Sequence, residues 1–158
     1  KIKIFTDGSC STALVDHGCN GGFCCVVDIP GERPKVVRGA QSDTTISKME
    51  IKAVAAGVVY VLELATKGFL PKGVDTVEIY CDSQFVANCF VGANKIAANK
   101  PQWAELLEAA KLLEKIVPNI EMIKISRNTE PESRLADKVA GEVRELLRNY
   151  APKTKSSW

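Results

Sequence analysis

The chain has 158 residues, 46% hydrophobic and 25% charged, the proportions of one globular domain with enough length to bury a sizeable core. Its net charge of +2, from 21 basic and 19 acidic residues, is too mild to point to a nucleic-acid partner by itself. No charge-free apolar run approaches the ~18 residues of a membrane span, and the N-terminus lacks the basic-then-apolar layout of a signal peptide. The expectation is therefore an intracellular, cytoplasmic protein. Because the sequence starts without Met, a domain of a longer chain or a processed product is also expected.

Lys1–Ser9 (KIKIFTDGS) alternates lysines with isoleucines and then Phe5, the period of a half-buried strand. It ends at Asp7-Gly8, where a turn can bring backbone close to a ligand. Cys10–Asn20 reads as an irregular loop closing at Gly21-Gly22. Phe23–Ile29 reads as a second strand, and Pro30–Pro34 as a turn into a third, Lys35–Gln41. Short connections predict an antiparallel meander.

Ser47–Lys67 reads as a central helix ended by Gly68, with an apolar face so broad that it must be packed on more than one side. Thr76–Cys81 is a fourth strand, Gln84–Val91 a short helix, and Gln102–Val117 a longer one opened by Pro101. Its expected buried stripe is Trp103, Leu106, Leu107, Ala110, Leu113 and Val117. Ile120–Ser126 is a fifth strand, Ser133–Tyr150 a last amphipathic helix, and 151–158 a tail. The order βββαβαβα plus one helix predicts a single mixed α/β domain over 1–150.

The six cysteines are expected as buried free thiols of a reducing compartment. Cys24 and Cys25 are adjacent in a strand and point to opposite faces. A zinc site from His17, Cys19, Cys24 and Cys25 lacks any CxxC pair and is disfavoured.

Asp7, Glu50, Asp82 and Asp137 each stand at structural punctuation: two strand ends and two early helical turns. Each has an ordinary alternative. Glu50 completes a Ser47-Lys48-Met49-Glu50 capping box, Asp82 suits a helix N-cap, and Asp137 could be a solvated charge beside Arg134 or Lys138. Brought together at one end of a sheet, the four would repel one another unless cations bound. Mg²⁺ suits such hard oxygen donors, with Mn²⁺ as the alternative, and two ions ~4 Å apart can clamp an in-line displacement at phosphorus.

Thr6-Asp7-Gly8-Ser9-Cys10, Thr44–Glu50, Cys81-Asp82-Ser83-Gln84, Trp103 and Ala136-Asp137 resemble, in order and setting, the motifs of type 1 ribonuclease H. The resemblance runs from Ile4 to about Ala140. It implies a ribonuclease H-like fold: a five-stranded mixed sheet, three antiparallel strands then two parallel, flanked by helices. It implies two-metal hydrolysis of the RNA strand of RNA–DNA hybrids, leaving 5′-phosphate and 3′-hydroxyl ends. Asp7, Glu50, Asp82 and Asp137 would be metal ligands, and Gly8, Ser9, Ser47, Ser83 and Gln84 contacts to the hybrid. The substrate's 2′-OH is what separates RNA from DNA.

The chain departs from the family pattern in several places. Cys10–Asn20 is longer and poorer in glycine, Ile46-Ser47 replaces paired asparagines, and Arg127 stands where a catalytic-loop histidine is usual. The basic insertion is reduced to Asn94–Lys100, with only Lys95 and Lys100. Weaker grip, or help from a neighbouring domain of a larger polymerase polyprotein, is the corresponding expectation, with the domain itself a monomer. A related nuclease acting on another nucleic acid, or a non-catalytic connecting domain, are the alternatives.

Overall fold

The computed structural model describes residues 1–11, 18–127 and 130–150; His17 and the tail 151–158 lie outside the described residues. Five strands, β1 (Ile2–Cys10), β2 (Cys19–Asp28), β3 (Lys35–Thr44), β4 (Thr76–Cys81) and β5 (Asn119–Lys124), form one sheet in the order β3-β2-β1-β4-β5. The first three are antiparallel, and β4 and β5 run parallel to β1. The helices are α1 (Ile46–Thr66), α2 (Gln84–Phe90), α3 (Lys100–Glu114) and α4 (Pro131–Tyr150).

Strand periodicity divides the core. Ile2, Ile4, Cys25, Val27, Val77 and Ile79 face α1 and α3, packing with Val54, Val58, Trp103, Leu106 and Leu113. Phe5, Cys24 and Val26 face the other way, onto Ala136, Val139, Ala140 and Val143 of α4. The result is three layers, with β1 central and covered on both faces. Trp103 is only 1% exposed, so truncation to Ala would cost about 3–5 kcal/mol.

Three expectations need correction. The stretch read as a loop from Cys10 to Asn20 is strand at both ends, and Gly21-Gly22 lie inside β2. Leu107 is 36% exposed rather than buried; on a helical wheel it falls about 90° from the stripe centred between Trp103 and Leu113. Cys10 and Cys19, expected as thiols, are joined by a disulfide with Cα atoms 5.8 Å apart. The hairpin register, which pairs Cys10 with Gly21, brings the two across the mouth of the loop, a proximity that sequence spacing does not reveal. Cys24, Cys25, Cys81 and Cys89 are buried free thiols. Among the described residues, no helix is long and apolar enough to cross a membrane.

Candidate active site

The parallel pairing of β1 with β4 sets Phe5 opposite Tyr80, their rings stacked with centroids 4.7 Å apart. Two residues further along the chain from each ring stand Asp7, within β1, and Asp82, immediately after β4, so both carboxylates emerge at the same edge of the sheet. This is the carboxyl end of adjacent parallel strands, where open α/β sheets form ligand crevices.

Gly8 lets the helix join them. A Cβ there would lie 2.5 Å from Glu50 N and 2.7 Å from Met49 C, so any larger residue would push α1 off β1. The ordinary roles imagined for Glu50 and Asp82 belong to neighbours. The N-cap of α1 is Thr45, whose side chain accepts from Lys48 N. Glu50 therefore lies beyond the capping positions and past the first turn in which it was expected. The N-cap of α2 is Ser83, accepting from Val86 N. Both carboxylates are left to face the cleft.

That cleft, about 400 Å³, is lined by Asp7, Gly8, Ser9, Cys10, Ile46, Glu50, Asp82, Arg127 and Arg144. Asp137 reaches its edge from α4, hydrogen-bonded to Asp7 and 3.2 Å from Arg127 Nη2. Burial first, then the hydrogen bond to Asp137 and the charge of Asp82, push the Asp7 carboxyl up to about 8. Asp137 is held below its ordinary value by its bonds to Asp7 and Arg127, so the two carboxyls are pushed in opposite directions. Burial also raises Glu50, with Asp82 adding repulsion and a hydrogen bond from Ser83 partly offsetting it. A site that must hold a proton on a carboxylate near neutral pH is short of positive charge.

The chemistry of this donor set suits a divalent cation, since the acidic oxygens are hard ligands and already crowd one another. Among the described residues, no three Asp, Glu, His or Cys side chains are already grouped to hold an ion. Asp137 is instead turned to Arg127.

The other expected residues are distributed unevenly. Gly8 and Ser9 line the cleft, whereas Ser47, Ser83 and Gln84 do not. Ser83 caps α2 and bonds Glu50, and Gln84 Nε2 donates to Asn88 Oδ1 at 2.7 Å on the exposed side of α2. Arg127, from the loop after β5, does line the cleft. A charged cleft residue escaped the sequence reading: Arg144, about two turns of α4 beyond Asp137. Its only signal was a helical spacing of seven from that aspartate, which places the two on one face.

Residues 1–144 match the RNase H family. The chain belongs to the RNase H family. It is accordingly an endoribonuclease that hydrolyses the RNA strand of RNA–DNA hybrids, and members of the family generally use divalent metal ions. Ribonuclease H of Caldicellulosiruptor saccharolyticus is 25% identical over 155 residues, covering 89% of this chain and 93% of that protein. Ribonuclease H of Thermoanaerobacter sp. strain X514 is 28% identical over 156 residues, covering 89% and 88%. In fold, the chain is similar to LC11-RNase H1, isolated from compost and solved in complex with an RNA/DNA hybrid. The TM-score is 0.71 at 20% identity, with 92% of this chain and 98% of that one covered. The RNase H domain of prototype foamy virus is similar at a TM-score of 0.61 and 19% identity, with 92% and 94% covered.

Proposed function

We propose that the RNase H reaction is carried out in this cleft by Asp7, Glu50, Asp82 and Asp137 as ligands of divalent cations, Mg²⁺ before Mn²⁺. The observation that carries this reading is the joint placement of Asp7, Glu50 and Asp82 in one cleft, with the Asp7 carboxyl pushed up to about 8 by burial and by its acidic neighbours. Two bound ions would supply activation of the attacking water and stabilisation of the leaving oxygen.

The chain's own residues do the rest. Asp7 gives up its proton when positive charge enters the cleft, and Asp137 is then freed from that hydrogen bond. Arg127, 71% exposed along its side chain, offers a guanidinium to a phosphate oxygen and does not exchange a proton in the neutral range. Ser9 and the Gly8 backbone face the substrate strand directly. Ser47, Ser83 and Gln84 are proposed contacts to the hybrid's backbone or minor groove, where the 2′-OH distinguishes the RNA strand. The products are a 5′-phosphate and a 3′-hydroxyl.

Residues 1–150 act as one catalytic domain, and a single chain supplies all four carboxylates, which supports a monomer as the working unit. With only Lys95 and Lys100 in the Gly92–Lys100 linker, a neighbouring polymerase domain would add grip. Cleavage of matched RNA–DNA, RNA–RNA and DNA–DNA duplexes in Mg²⁺ tests the reading. Cutting confined to the RNA of the hybrid is the expected result. Equal cutting of another duplex would make this a related nuclease, and no cutting of any would leave a non-catalytic domain.

A further inference from the structure

Arg144 is the cleft residue without a role so far. It is anchored with unusual closeness: a Cβ on Gly22 would collide with Ala140 O and lie 2.9 Å from Arg144 N. Gly22 pairs with Ser9 across β1 and β2, so this one glycine brings α4 down onto the tip of β1. From there Arg144 Nη1 donates to Ser9 Oγ at 2.9 Å and to Cys10 O at 3.4 Å. Both partners are neutral and both line the cleft.

The guanidinium is therefore held by neutral partners, and its charge helps to keep the Asp137 carboxyl at the cleft edge ionised. Among the described residues its ion pair is with Glu145 at 3.0 Å, a sequence neighbour whose side chain is 44% exposed, and such surface pairs are weak. Its Nε is shielded and without a hydrogen-bond partner, an unmet donor of the kind that calls for explanation. Arg127, the other cation lining the cleft, is engaged by Asp137. A nucleic-acid strand entering a cleft walled by carboxylates needs a positive group for its phosphates, and a planar guanidinium fork suits a phosphate.

We propose that Arg144 is a substrate-binding residue of this ribonuclease H, taking a backbone phosphate of the hybrid while bracing the Ser9–Cys10 tip of β1. The inference rests on the cleft being the active site. It is tested by binding of an RNA–DNA hybrid in metal-free buffer across a salt series, with cleavage kinetics in Mg²⁺ alongside. The wild-type slope of log K against log[salt] is expected to be shallower than about −5. Arg144→Ala should weaken binding and raise KM about tenfold, change kcat far less, and make the slope shallower by ~0.9.

Arg144→Lys keeps the charge without the fork, so it should restore the slope and only part of the affinity. Ser9→Ala breaks the brace without removing charge and should leave the slope as in the wild type. If Arg144→Ala lowers Tm but leaves the slope unchanged, Arg144 is only a tether and the inference is overturned. A wild type that fails to cleave the hybrid would count against the active-site reading, a separate outcome from a cleaving wild type whose slope ignores Arg144.

Discussion

Arg127 Nη2 lies 3.2 Å from Asp137 Oδ1, and Asp137 in turn is hydrogen-bonded to Asp7. The loop cation after β5 thus stabilises the ionised form of a helix carboxylate that touches a strand carboxylate, linking three elements through two polar contacts. Arg127 itself is raised further above its already high ordinary value by that same partner, so it stays charged throughout the working range.

Arg127 should therefore act by charge alone. Arg127→Ala is expected to lower turnover about 10- to 100-fold, the worth of a hydrogen bond to a charged group, without altering the shape of the pH–rate profile. Arg127→His should introduce a new ionisation near pH ~6.5. Steady-state rates from pH 5 to 9 decide the matter; a silent Arg127→Ala variant would mean that the residue is a solvated charge.

Asp7 sets the pH dependence of stability in chelator. Its folded carboxyl keeps a proton up to about pH 8, whereas the unfolded chain releases it near pH ~4. Between those values the native state binds more protons than the unfolded one, so Asp7's contribution reduces stability as pH rises through that window. Thermal melts at pH 5, 7 and 8.5 should show Asp7→Asn gaining on the wild type as pH rises. Adding Mg²⁺ should recover the wild type and leave Asp7→Asn little changed.

Asp82 offers the sharpest separation of fold from function. Asp82→Asn removes one source of the repulsion that raises Asp7 and Glu50. The variant should melt at or above the wild-type temperature in metal-free buffer. Its Mg²⁺-dependent cleavage should nonetheless fall more than about 100-fold, beyond the loss typical of residues that only support a ligand. Near-normal turnover would take Asp82 out of the site.

Reducing the Cys10–Cys19 bond should loosen the hairpin beside the cleft. The cysteines are nine residues apart in sequence, and closing a loop of that size stabilises by about 2–3 kcal/mol in the chain-entropy description. Treatment with a thiol reductant, or the Cys10→Ser/Cys19→Ser pair, should lower Tm by about 5–10 °C. Melts of oxidised and reduced protein, with the free thiols counted in each, measure this directly.

Much of the fold was legible because it rests on local periodicity. Period-2 alternation marked β1 closely, β4 was placed to the residue at Thr76–Cys81, and the broad apolar face of α1 announced a helix buried from two sides. The four acidic residues were legible for a different reason: each sits in a short motif. Those motifs keep their order along the chain even where the carboxylate lies inside its element, as Asp7 does in β1 and Asp137 in α4. Tertiary contact decided what periodicity cannot carry. Whether Glu50 caps its helix depended on Thr45 taking the cap, and whether Asp82 did depended on Ser83. The extension of β2 back through Gly21 and Gly22 comes from pairing with β1 and β3, and only a residue without a Cβ at Gly22 admits Ala140 O of α4. The Cys10–Cys19 bond, the Asp7–Asp137 hydrogen bond and the seat of Arg144 all join residues brought together by the strand register or by the docking of α4. Their energies depend on distance in space, and the residue string by itself contains no such distance.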